Sequence, residues 1–160
     1  MDIRVGHGFD SHRLASQEEG GGQMCIGGVK MDSHIGPIAH SDGDAVTHAV
    51  TDALLAAIGQ PDLGTLFPND ATENEGRDSM DFLVEAVTRA SENGWAICNI
   101  DITVLCDVFK ISPHKEQICN SLKKCIGAPV NIKGKTYEGT AHVEVIEVHA
   151  VALVQRGVHS

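Results

Sequence analysis

Between Asp44 and Ile58 the apolar residues fall at 45, 46, 49, 50, 53, 54, 57 and 58, a period near 3.6 that specifies an α-helix. A stripe of that width has to be buried against another layer, and Gly59-Gln60-Pro61 ends the helix that carries it. The other elements are arranged around it. Residues 2–12 read as a strand, with Ile3, Val5, His7 and Phe9 alternating with Arg4, Gly6 and Gly8. Met24-Cys25-Ile26 and Val29-Lys30-Met31 read as a hairpin closed by Gly27-Gly28, since glycine accepts the positive φ of a primed turn. A second helix runs from about Met80 to Glu92, with Ser79 as its expected cap and Asn93-Gly94 as its stop. Ile97–Leu105 alternates as a strand. Ser112-Pro113 opens a helix that continues to about Ile126 and stops at Gly127. Val130–Thr136 and Val143–Gln155 complete the order βββααβαββ. That order predicts an α+β fold, one domain over residues 1–160, with a mixed sheet covered on one face by helices. Such a sheet leaves its other face to bury elsewhere, a small acidic domain often does that by oligomerising, and the pattern alone does not give the subunit number.

Composition excludes several functions. The chain has 160 residues and a net charge of -10, the wrong sign for a non-specific binder of nucleic acid or anionic membrane. One Trp, one Tyr and four Phe are too few for a surface that stacks single-stranded bases. No run approaches the roughly 18 apolar residues of a membrane span. No apolar or Arg/Ser-rich leader is visible, so the expected setting is a bacterial cytoplasm, or a plastid-type organelle if the chain is a processed form. Five cysteines, an odd number without a CxxC, predict a reduced compartment.

The chemistry lies in two segments. Asp10 and His12 stand on the same side of the first strand, about 7 Å apart along it, within reach of one metal ion. On the long helix Asp44, His48 and Asp52 form a row four residues apart, so His48 has a carboxylate one turn before it and another one turn after. A metal-bound histidine gives its second ring N–H to such a group, and Asp44 or Asp52 is positioned to take it. Either segment alone reads as a solvated polar row. Together they offer two histidines and one carboxylate, a set that suits catalytic zinc with an open position and equally non-haem iron. Periodicity does not choose between these metals.

Gly6-His7-Gly8-Phe9-Asp10-Ser11-His12, His40-Ser41-Asp42-Gly43-Asp44 and His48-Ala49-Val50-Thr51-Asp52-Ala53-Leu54-Leu55 closely resemble the 2-C-methyl-D-erythritol 2,4-cyclodiphosphate synthase family. Further matches are Asp62-Leu63-Gly64, Leu66-Phe67-Pro68, Asp78-Ser79, Asn99-Ile100-Asp101, Lys110 with Pro113-His114, Val130-Asn131-Ile132-Lys133, and Lys135-Thr136 with Glu138. They cover nearly the whole chain in order. The resemblance implies an enzyme of the non-mevalonate isoprenoid route that converts 4-diphosphocytidyl-2-C-methyl-D-erythritol 2-phosphate to the 2,4-cyclodiphosphate and CMP. It also implies a homotrimer, its sheets packed around a three-fold axis, with each active site between neighbouring subunits. Asp10, His12 and His48 are then zinc ligands, and Glu138 helps hold a second divalent cation, magnesium or manganese, at the diphosphate. His40 and Ser41 lie beside the substrate phosphates. Thr136 lies beside the β-phosphate and, with Lys110 and Cys106, comes from the neighbouring subunit. Asp62 and Gly64 match positions at the ribose and methylerythritol end, Asn69 stands at a methylerythritol contact, Phe67 is a further substrate-binding position, and Cys106, Lys110, Ile111 and Ser112 match the cytosine pocket.

The sequence departs from the family pattern in three places. Phe109 stands where many members have proline before the pocket lysine, and Asn69 where aspartate is common. Thr140–Glu147 replaces a Gly- and Arg-rich segment, so binding of an isoprenoid diphosphate on the trimer axis is not expected. Two rival readings use the same residues: a metal-dependent hydrolase or iron enzyme, and a non-catalytic trimeric metal- or nucleotide-binding protein. The first needs a water-activating base, and no spare Glu adjoins the ligands in sequence. The second leaves Lys110, Thr136 and Glu138 without a task.

Overall fold

The computed structural model describes residues 1–68, 77–140 and 144–157. Its main sheet is built from β1 (Asp2–Ser16), β4 (Ile35–Pro37), β5 (Ala96–Leu105), β6 (Val130–Lys135) and β7 (Val145–Arg156), in the order β4-β1-β7-β5-β6. Only the β5–β6 pair is parallel; β1 is antiparallel to both β4 and β7, and β7 to β5. The sheet is therefore mixed, as expected. β2 (Cys25–Ile26) and β3 (Val29–Lys30) form the separate hairpin, with Gly27 and Gly28 at φ 62° and 76° in its turn. The helices α1 (Ala45–Ala57), α3 (Ser79–Glu92) and α4 (Lys115–Ile126), with the single-turn α2 (Leu63–Leu66), share one hydrophobic core with the sheet.

The core face of β1 is not its apolar face. Gly6 and Gly8 point at α1, and Ile3, Val5 and Phe9 point away from it and are exposed. A Cβ on Gly8 would lie 1.9 Å from the Ala49 carbonyl oxygen, and one on Gly6 2.0 Å from that of Ala53. The two glycines thus let the α1 backbone rest directly on β1. Pairing carries Ala150 and Ala152 of β7 onto the same covered face, opposite Gly8 and Gly6. The open face keeps Ile3, Val5, Phe9 and Val151 in solvent. Amid them, His7 Nε2 lies 3.2 Å from His149 Nδ1, and His149 Nε2 lies 3.3 Å from Glu147.

Local details differ from the sequence reading. β4 and α2 are too short to show a period, and neither was anticipated. The cap of α3 is Asp78, whose carboxylate accepts from the Met80 N–H at 2.9 Å, and Ser79 is the first helical residue. Ser112 opens a 3-10 turn without a side-chain cap, and α4 begins at Lys115. Among the described residues no helix is long and apolar enough to cross a membrane.

Candidate metal centre and substrate cavities

Since α1 lies so close to β1, a side chain at its second turn reaches the strand. His48 Nδ1 is 3.1 Å from Asp10 Oδ2, and His12 Nδ1 is 3.3 Å from the same oxygen. Asp10, His12 and His48 each offer a ligand atom within 4.8 Å of the others. The Nδ1 of His12 is buried and has no hydrogen-bond partner among the described residues. A buried ring nitrogen without a partner, two imidazoles and a shared carboxylate oxygen fit a divalent cation of the zinc type. Burial holds the His12 pKa below its usual value against the pull of Asp10. At His48 burial also acts to lower it, but the Asp10 hydrogen bond and charge, with Asp44 and Asp42, outweigh burial and raise it.

The partner of the second His48 nitrogen is neither of the two aspartates on its own helix. Asp44 is fully buried as the N-cap of α1, where it accepts from the N–H groups of Thr47, Gly27 and Gly28 at 3.0, 2.9 and 2.6 Å. Asp52 accepts from the Leu63 N–H at 2.7 Å and positions α2. His48 Nε2 instead meets Ser79 Oγ at 2.7 Å, and Ser79 in turn bonds Asp42. Ser79 reads in sequence as a helix cap, and 31 residues separate it from His48, so no spacing rule connects them.

One cavity is lined by Asp10, His12, His40, Ser41, His48 and Gly64, among others. Asp62 caps α2 through the Thr65 N–H and lines a neighbouring hollow. Phe67 is buried against Phe82, with ring centroids 4.8 Å apart, and packs instead of opening to the cavity. Asn69 lies outside the described residues, as do 141–143 of the Thr140–Glu147 segment. A different cavity gathers Cys106, Lys110, Ile111, Ser112, Thr136 and Glu138 beyond the C-terminal ends of β5 and β6. There the Thr136 hydroxyl donates to Glu138 at 2.6 Å, and Glu138 is the only non-glycine residue at positive φ among those described. Phe109 stacks on His114 at 5.4 Å in the same region. Burial pushes the Cys106 thiol up, against a nucleophilic role.

A mixed sheet whose strands β1, β5 and β6 run in the same direction, toward a metal-ligating cluster or a polar cavity, defines an α+β protein with a two-histidine, one-carboxylate site. The chain belongs to the YgbB family, whose model matches residues 3–155. It is 42% identical to a 2-C-methyl-D-erythritol 2,4-cyclodiphosphate synthase of Rhodopirellula baltica, covering 98% of this chain and 95% of the relative. It is 41% identical to a chloroplastic synthase of the same name from Arabidopsis thaliana, covering 98% of this chain and 68% of that one. A solved 2C-methyl-D-erythritol-2,4-cyclodiphosphate synthase in a CDP-bound form superposes with a TM-score of 0.87 at 35% identity, over 95% of this chain and 100% of the other.

Proposed function

We propose that this chain converts 4-diphosphocytidyl-2-C-methyl-D-erythritol 2-phosphate to 2-C-methyl-D-erythritol 2,4-cyclodiphosphate and CMP, in the non-mevalonate route to isoprenoids. The observation that carries the reading is the Asp10–His12–His48 cluster sharing a cavity with His40 and Ser41 in a chain of this family. Asp10, His12 and His48 would hold zinc, and Glu138 would help hold magnesium or manganese. A bound divalent ion supplies charge neutralisation at the diphosphate oxygens.

In the reaction an oxygen of the 2-phosphate attacks the β-phosphorus, the bond to CMP breaks, and CMP leaves with the bonding pair. The nucleophile is already an anion, so the protein need not remove a proton from it. Its task is to hold attacking and leaving oxygens in line and to neutralise charge. His40 and Ser41 orient the phosphates. Thr136 positions the β-phosphate, and its bond to Glu138 fixes that hydroxyl. Asp62 and Gly64 are assigned to the ribose and methylerythritol end and Asn69 to a methylerythritol contact, with Phe67 serving substrate binding through packing behind the cavity. Cys106, Lys110, Ile111 and Ser112 form the cytosine pocket, with Phe109 stacked on His114 beside it.

The reading includes a homotrimer with its open sheet faces turned to one another. The exposed Ile3, Val5, Phe9 and Val151 support it, since all four lie on that face. So does the separation of the two cavities: β7 and β5 stand between β1 and β6, three strand spacings or about 14 Å. A site assembled from the metal cluster of one subunit and the Lys110–Thr136 cavity of the next closes that gap. A bacterial cytoplasm or a plastid-type organelle stays the proposed compartment.

The test is the identity of the products when the purified chain is incubated with the substrate and both metals. CMP with the cyclic diphosphate is expected. CMP with an open-chain bisphosphate would mean that water, not the 2-phosphate, is the nucleophile, and the hydrolase reading would replace this one.

A further inference from the structure

The two ring nitrogens of His48 have different tasks. Nδ1 faces Asp10 Oδ2 at 3.1 Å, on the side of the proposed metal. Nε2 faces Ser79 Oγ at 2.7 Å. The Ser79 hydroxyl donates to Asp42 Oδ1, and an ionised carboxylate accepts only. The hydroxyl proton is thereby committed to Asp42, and the Ser79 oxygen is left to accept. The neutral ring then carries its proton on Nε2 and its lone pair on Nδ1. A lone pair opposite a carboxylate oxygen is repelled, and the repulsion is relieved by a proton on Nδ1, as in the imidazolium that donates to Asp10, or by a metal cation between them. Asp42 is itself held: the Ser79 N–H donates to Oδ2 at 2.9 Å, and the Asp44 N–H to Oδ1 at 3.1 Å. Ser79 is fully buried, so it acts on the site only through His48.

We infer that Ser79 and Asp42 are positioning residues that lock His48 in the tautomer and orientation needed to bind a divalent metal through Nδ1. The inference rests on the metal centre proposed above. It gives α3 a share in the site, because its first residue closes the relay that runs from α1 to the segment before it.

The experiment measures zinc affinity of the full chain by competition with a chromophoric chelator, beside nitrogen–proton correlation spectra of the histidine rings. Ser79→Ala is expected to weaken zinc binding about 10- to 100-fold in a chain that still unfolds cooperatively without metal, and to leave the His48 ring without a single tautomer. Asp42→Asn is expected to give a loss of the same order, and the double variant no more than the larger single loss. Zinc affinity within twofold of the wild type in both single variants would overturn the inference, as would two losses that simply add. If Ser79→Ala does not fold, Asp42→Asn and the ring spectrum of the wild type decide alone: Nδ1 protonated in the neutral ring overturns it. A wild-type chain that binds no zinc would overturn the metal centre and this inference together. An altered product with the relay response intact would overturn only the proposed reaction.

Discussion

His48 precedes Ala49, whose carbonyl oxygen occupies the space a Gly8 side chain would need, so the metal site depends on a residue with no side chain. Replacing His48 by Ala is expected to abolish metal binding and turnover while leaving the assembly intact; full activity would sink the ligand assignment. The raised His48 pKa sets the pH response. Its ring holds a proton to a higher pH than the ordinary 6.5, and that proton competes with the metal. Zinc affinity should fall as pH drops through the raised value, and a flat titration would contradict the site. For the metal-free fold the sign is opposite. Stability gained from protonated His48 is present below 6.5 and lost as pH rises through the folded value. The ligands themselves were legible in the sequence, since DxH on a strand and a histidine on the next long helix are local patterns. Ser79 was not, because its contact with His48 depends on how α3 packs.

The helix α1 joins the hairpin to the sheet through its cap. Asp44 takes the N–H groups of Gly27, Gly28 and Thr47, so removing it strands donors in two elements at once. Asp44→Ala is expected to cost about 3 kcal/mol, the loss of a cap plus unsatisfied buried N–H groups, read from the urea midpoint. Gly8→Ala is expected to destabilise by about 3 kcal/mol or more, because the backbone of α1 cannot yield as a side chain would. A loss below 1 kcal/mol in either variant, roughly the size of an ordinary surface change, would contradict these contacts. Periodicity located the long elements within a few residues. It gave the wrong role to the α1 aspartates, because a row on a helical wheel does not reveal that one end is a cap and the other anchors a loop.

The whole molecule is a helix layer packed on a sheet layer, with the second sheet face left uncovered. Helices cover one sheet face, and the other presents Ile3, Val5, Phe9 and Val151 around the His7–His149 pair. If the proposed trimer uses this face, Val5→Glu should shift the chain to monomer in sedimentation while its zinc affinity stays near that of the wild type, because the metal ligands lie on the covered side. A trimer that survives this charge would place the interface elsewhere. Mixing His48→Ala and Lys110→Ala chains should restore part of the activity that each lacks, since some sites in mixed trimers then combine two intact halves. The central claim is that the Asp10–His12–His48 site serves the release of CMP. It is tested most directly by following CMP release from 4-diphosphocytidyl-2-C-methyl-D-erythritol 2-phosphate after chelator treatment and again after zinc and magnesium are restored. Release that stops with the chelator and returns with the metals is the expected result. Release that continues unchanged in the metal-stripped chain, or never occurs in the folded and metal-loaded one, would contradict it.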